Sequence, residues 1–146
     1  MKYPAAIAML MMLALAGCEK IQFQKAGGDS LDWDSLRGQW VLVNYWAEWC
    51  KPCIEEIPEL NALDGLANVT VVGVNYDGVQ GQALRDLGRK MGISYILLQE
   101  DPGPAFDWTL PVALPATFVV KPDGELLQAR FGAQTQQDIT DLISHQ

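Results

Sequence analysis

Val41-Leu-Val-Asn-Tyr-Trp-Ala-Glu-Trp-Cys50-Lys-Pro-Cys53-Ile-Glu-Glu-Ile-Pro58 is an apolar, β-branched and aromatic run that breaks into two cysteines at C-x-x-C spacing. Val41 to Trp46 has the composition of a buried strand. Apolar residues at Cys53, Ile57, Leu60, Leu63 and Leu66, three and four apart, predict a helix directly after it. Cys50 is therefore expected where strand hands over to helix. The first N–H groups of a helix lack internal partners and carry roughly half a positive charge, so that position favours a thiolate over the thiol. Lys51 adds a nearby cation, and Pro52 suits the first turn because its missing N–H costs nothing there. Since the thiolate is the nucleophile, Cys50 is the candidate attacking residue. Cys53, one helical turn on, is the candidate resolving thiol, able to close a Cys50–Cys53 disulfide and release a bound partner.

A lone C-x-x-C is also half of a metal site or a structural staple. Zinc takes four ligands, and beyond these two cysteines the chain offers only Cys18 and His145, next to the terminus. A stapling disulfide would gain little from so short a loop.

Outward from the motif, 146 residues with 49% hydrophobic content suffice for one full core and ask for no second one. A formal charge of -8, from 18 acidic and 10 basic residues with no Lys/Arg cluster, gives no footprint for a phosphate backbone, so nucleic acid is not an expected partner. At the start of the chain, Ala5 to Ala16 is a continuous apolar run of 12 residues ending in Gly17-Cys18. That is the length of a signal peptide and short of the roughly 20 residues that span a bilayer. Leu15-Ala16-Gly17-Cys18 resembles a bacterial lipobox, which implies cleavage after residue 17 and a lipid on Cys18. Several acyl chains on one residue would hold the protein at a membrane. The expected division is thus a cleaved leader over 1–17, a lipid-anchored tether over 18–30 and a folded domain over 31–146, facing the periplasm or the exterior. Glu19 does not choose between inner and outer membrane.

Along the body, Ile21 to Gln24 reads as a weak strand within the tether, and Asp32 to Gly38 as a single helical turn closed by glycine. Val69 to Asn75 is a second β-branched run, Gln80 to Met91 a helix ended by Gly92, and Ile93 to Gln99 a third strand. Glu100-Asp-Pro-Gly-Pro104 is a loop. Ala116 to Val120, the turn Lys121-Pro-Asp-Gly124 and Glu125 to Phe131 form a hairpin, and Gln134 to Ser144 a closing helix. Strands alternating with helices and then a hairpin predict an α/β sandwich around a mixed sheet with central strands buried on both faces.

Trp46-Ala-Glu-Trp-Cys50-Lys-Pro-Cys53 closely resembles the thioredoxin active site. With Gly38, Val41-Leu-Val-Asn44, Cys50-x-x-Cys53-x-x-Glu56-x-Pro58, Leu114-Pro115-Ala-Thr-Phe118 and Pro122-Asp-Gly124, the pattern resembles the TlpA and ResA group of membrane-anchored, thioredoxin-like disulfide reductases. The resemblance implies a thioredoxin-like fold, its mixed sheet flanked by helices on both faces, with Pro115 cis and facing the disulfide. It implies that the backbone of Leu114 pairs with a bound substrate chain. Asn44 stands where thioredoxin has a buried aspartate and cannot exchange a proton. Glu56 matches the acidic residue of the ResA group and could take the Cys53 proton, although by spacing alone Glu55, Glu56 and Glu59 also read as one solvated helix face.

Trp49 is expected as an apolar lip for partner docking and Trp46 as core; Asp77, Asp101 and Asp107 have no expected role. The implied function is a thiol–disulfide oxidoreductase whose only redox group is its own disulfide. Its expected task is reduction of disulfides in exported proteins, cytochrome c apoproteins among them, supplied by a membrane electron donor of the DsbD/CcdA type. The Lys51-Pro52 dipeptide does not fix the direction, because such dithiols span from about -270 to about -120 mV. An oxidase or isomerase of the same fold, and a redox-inactive or metal-carrying binding module, stand as alternatives; a peroxidase would lack its usual Thr-x-x-Cys arrangement.

Overall fold

The computed structural model describes residues 20–146. Cys18 and the leader before it lie outside the described residues. At the centre is β3 (Trp40–Trp46), all seven of whose residues are buried. It pairs in parallel with β4 (Val69–Asn75), from Trp40 opposite Val69 to Trp46 opposite Asn75. On its other side it pairs antiparallel with β6 (Ala116–Val120). With β5 (Ile96–Leu98) and β7 (Leu126–Phe131) the sheet has the order β5-β4-β3-β6-β7.

A strand that is apolar on both faces needs both faces covered. Trp40, Leu42 and Trp46 point to the face packed by α1 (Lys51–Asp64), α2 (Gly81–Met91) and α3 (Gln136–Ser144), through Leu60, Leu63, Leu84 and Ile139. The run β3-α1-β4-α2-β5 steps outward through parallel neighbours, and right-handed crossovers place both connecting helices on one side. Val41, Val43 and Tyr45 point to the opposite face, where they meet Phe23, Leu31, Trp33 and Phe118. The helices there are two short 3-10 turns, Trp33–Leu36 and Gly103–Phe106. Alongside them lies the antiparallel hairpin of β1 (Gln22–Gln24) and β2 (Ser30–Asp32).

That hairpin revises the tether expected to run to Ser30. Phe23 and Ala26 are buried, and the Ala26 N–H donates to Leu97 O at 2.8 Å. The folded unit therefore reaches back to Ile21, ahead of the boundary expected at Leu31. The strand expected over 93–99 is shorter for a similar local reason. Gly92 ends α2 with φ 75°, and the Ile93 N–H returns to Gly88 O at 2.9 Å. The Ser94 N–H is taken by Asn61 Oδ1, so these donors are lost to the sheet.

Candidate active site

β3 delivers Cys50 to the start of α1. Cys50 is the N-cap residue, extended at φ -87° and ψ 97°, and Pro52 lies in the first turn. Cys50 Sγ accepts from the Cys53 N–H at 3.3 Å, the contact through which a helix start stabilises a sulfur anion. Cys50 and Cys53 are joined as a disulfide, with Cα atoms 5.3 Å apart. Cys53 is 1% exposed and Cys50 5%, so what access the pair has is on the Cys50 side. Lys51 pairs with Glu55 on the solvent face of α1.

Trp49 is 66% exposed, yet its indole is fixed: Nε1 donates to both carboxylate oxygens of Asp77, at 3.1 and 3.0 Å. Asp77 sits in the turn after β4, so a residue without an expected role orients the apolar lip beside Cys50. The Leu114–Pro115 peptide is cis. It leads directly into β6, whose first residue, Ala116, lies opposite Tyr45 near the end of β3. Leu114 packs against the cluster containing both cysteines, and Pro115 O accepts from the Gly132 N–H at 2.9 Å.

Glu56 separates from its helix neighbours. Glu55 is exposed and Glu59 accepts the Gln136 N–H at 2.8 Å, whereas Glu56 is 1% exposed and points into the core. Its Oε1 accepts from Asn44 Nδ2 at 2.7 Å and its Oε2 from the Gln134 N–H at 2.8 Å. Asn44 Nδ2 also reaches Thr117 Oγ1 at 3.2 Å, and the Tyr95 hydroxyl lies 3.5 Å from Asn44 Oδ1. Burial pushes the Glu56 carboxyl up from 4.5 to about 7, against the Gln134 and Asn44 donors, which pull it down. Burial, followed by the carboxylates of Glu56 and Asp64, pushes the Tyr95 phenol well above its ordinary range, so it stays a neutral hydroxyl. A carboxyl poised at neutrality one turn beyond Cys53 can both accept and return a proton.

The structure thus gathers Trp49, Cys50, Cys53, Glu56, Leu114 and Pro115 at one end of the sheet. Asp77, Tyr95 and Gln134 join them without a sequence signal, because each acts through a partner distant in the chain. Among the described residues no cluster of three His, Cys, Asp or Glu side chains is arranged to hold a metal ion, and no helix is long and apolar enough to cross a membrane.

The AhpC/TSA family model matches residues 17–129. The thiol:disulfide interchange protein HelX of Rhodobacter capsulatus is 37% identical over 141 residues, covering 91% of this chain and 77% of HelX. The thiol:disulfide interchange protein CycY of Rhizobium leguminosarum bv. viciae is 35% identical over 103 residues, covering 69% of this chain and 54% of CycY. Among solved structures, a thiol:disulfide interchange protein of the thioredoxin family from Chlorobium tepidum superposes with a TM-score of 0.70 at 22% identity. That likeness covers 86% of this chain and 92% of that one, and it speaks for the thioredoxin-like fold alone.

Proposed function

This chain belongs to the thioredoxin-like AhpC/TSA family and is a thiol–disulfide oxidoreductase, and from that premise we propose that it is a membrane-anchored reductase of disulfides in exported proteins. In the reductive half-reaction the Cys50 thiolate attacks one sulfur of a partner's disulfide. The partner's other sulfur leaves as a thiolate, and Cys50 is held in a mixed disulfide. Cys53 then gives its proton to Glu56 and, as a thiolate, attacks Cys50 Sγ. The partner departs with both sulfurs reduced, and the two electrons it gained leave Cys50 and Cys53 joined as a disulfide. A membrane dithiol donor of the DsbD/CcdA type restores the reduced pair. The backbone of Leu114, ahead of the cis peptide, pairs with the partner's extended chain, while Trp49 offers it an apolar contact. Lipid on Cys18 holds the domain at the outer side of a bacterial membrane, and cytochrome c apoproteins are the substrate class.

The observation that carries this reading is the buried Glu56 carboxyl, one turn beyond Cys53 and balanced near neutrality, where it can take and return the proton of the Cys53 thiol. Cys50→Ser is expected to abolish turnover of a protein disulfide. Cys53→Ala is expected to accumulate mixed disulfides, whose partners mass spectrometry of the trapped adducts identifies. Glu56→Gln is expected to slow reduction near neutral pH by about 100-fold while Cys50 alkylation stays fast. Turnover by the Cys50→Ser variant, or a measured potential near the oxidising end at about -120 mV, would sink the reductase assignment. A mature N-terminus without lipid would remove the anchor.

A further inference from the structure

One of the two donors on Glu56 comes from the turn between β7 and α3, a segment distant from the dithiol in sequence. It is a main-chain N–H, so it is only as well placed as the turn that carries it, and that turn contains Gly132 at φ 86°. Within the turn, the side chain of Gln134, which is 5% exposed, ties its main chain to β7. Its Nε2 donates back to Gly132 O at 2.9 Å, and its Oε1 accepts from Arg130 Nε on β7. The Gly132 N–H in turn donates to Pro115 O, so one short segment touches both the cis-proline strand and the proton-holding carboxyl. Burying an amide costs it its hydration, and an apolar side chain of the same length would fill the space without that cost. The cost is understandable if the hydrogen bonds themselves are needed.

We propose that Gln134 is a positioning residue for thiol–disulfide exchange: by tying the Gly132–Thr135 turn to β7, its side chain holds the backbone N–H on Glu56 Oε2 and favours the ionised carboxylate that takes the Cys53 proton. The inference rests on the reading of Glu56 as the proton carrier. The groups around that carboxyl are few. β3 contributes the neutral Asn44, and the segment before β5 contributes the neutral Tyr95 hydroxyl behind it. On α1, Cys53 lies one turn before Glu56, while Glu59 is engaged with the Gln136 N–H. From β7, Arg130 is bonded to Gln134. Neutral donors therefore do the stabilising, and of the ties on the turn that carries one of them, the Gln134 side chain is the one inside it.

The test uses the full chain with Gln134→Met, which keeps length and apolar volume but removes both side-chain hydrogen bonds, and Gln134→Ala as a second variant should the first fail to fold. Carboxyl carbon NMR of the oxidised protein follows the Glu56 titration directly. The expected result is a rise of about half a unit or more, roughly a threefold change in acid constant, with the midpoint of the pH–rate profile for disulfide reduction moving by the same amount. Cys50 alkylation is expected to stay as it was. A Glu56 titration that does not move in the folded variant overturns the positioning role. A rate profile indifferent both to the NMR shift and to Glu56→Gln fails differently: it removes Glu56 as the proton carrier, and the positioning role falls with it.

Discussion

Between pH 4.5 and about 7, the folded chain keeps a proton on Glu56 that the unfolded chain has released. Stability then falls as pH rises, because the folded state is the one that binds more protons. The contribution is fully present below 4.5 and is lost as pH rises through about 7. At about 1.4 kcal/mol per unit, this single group accounts for about 3 kcal/mol across that window. Glu56→Gln removes the slope. The glutamine can still accept the Gln134 N–H, and a flipped Asn44 can accept from its amide, so the network stays satisfiable. Urea denaturation of the oxidised protein at a series of pH values should show the variant gaining on the parent by about 3 kcal/mol from low to neutral pH. Parallel curves for the two proteins would show that the folded state does not hold that proton. Sequence alone carries this residue part of the way. Spacing places Glu56 on α1, but whether it faces water or the core depends on Asn44 and Gln134, which lie 12 and 78 residues away.

At the level of elements, β3 and α1 are legible because their signals are long: seven strand positions of which six are apolar, then apolar residues at helical spacing behind Cys50. The β6–β7 hairpin is legible from its Pro-Asp-Gly turn, where Gly124 adopts φ 86°. A glycine inside a strand weakens it, and Gly73 of β4 lies opposite Asn44. The structure supplies its reason. A Cβ there would come within 2.7 Å of Leu97 Cδ2, 2.9 Å of Tyr95 Cε2 and 3.1 Å of Trp46 Nε1. The glycine makes room for the Tyr95 ring whose hydroxyl lies behind Asn44, so a strand defect is what lets the network around Glu56 close. Gly73→Ala is therefore expected to cost about 1–3 kcal/mol through overpacking, against the gain that alanine usually brings a strand. Thermal and urea unfolding check the cost. Quenching or a spectral shift of Trp46 would report the displaced ring, and an unchanged midpoint would mean that the sheet relaxes freely around the methyl group.

On the scale of the whole molecule, the two faces of the sheet divide the work. The helical face carries the dithiol, Glu56 and the turn that serves it, while the opposite face is sealed by short segments, of which the sequence shows a weak strand over Ile21 to Gln24 and a helical turn after Asp32 but not their docking on the sheet. β1 and β2 have three residues each, below the length at which alternation can be told from chance. What holds them is tertiary: the Gln99 N–H donates to Gln24 O, the Trp33 N–H to Ile21 O, and the Phe23 ring meets Trp33 edge-on with centroids 5.4 Å apart. Trp33 in turn lies 5.0 Å from Phe106, so removing the hairpin uncovers an aromatic layer over β3 and β6. A chain starting at Lys20 and one starting at Leu31 separate this arrangement from a loose tether. Loss of Phe23 alone is comparable to a buried Phe→Ala change, about 3–5 kcal/mol, and the lost strand pairing adds to it. The shorter chain should unfold at markedly lower urea. Its Cys50 should keep its alkylation rate in whatever fraction remains folded, since α1 packs on the other face. Equal midpoints for the two chains would show that the hairpin merely rests on the sheet, and the domain would then begin where the polar run ends.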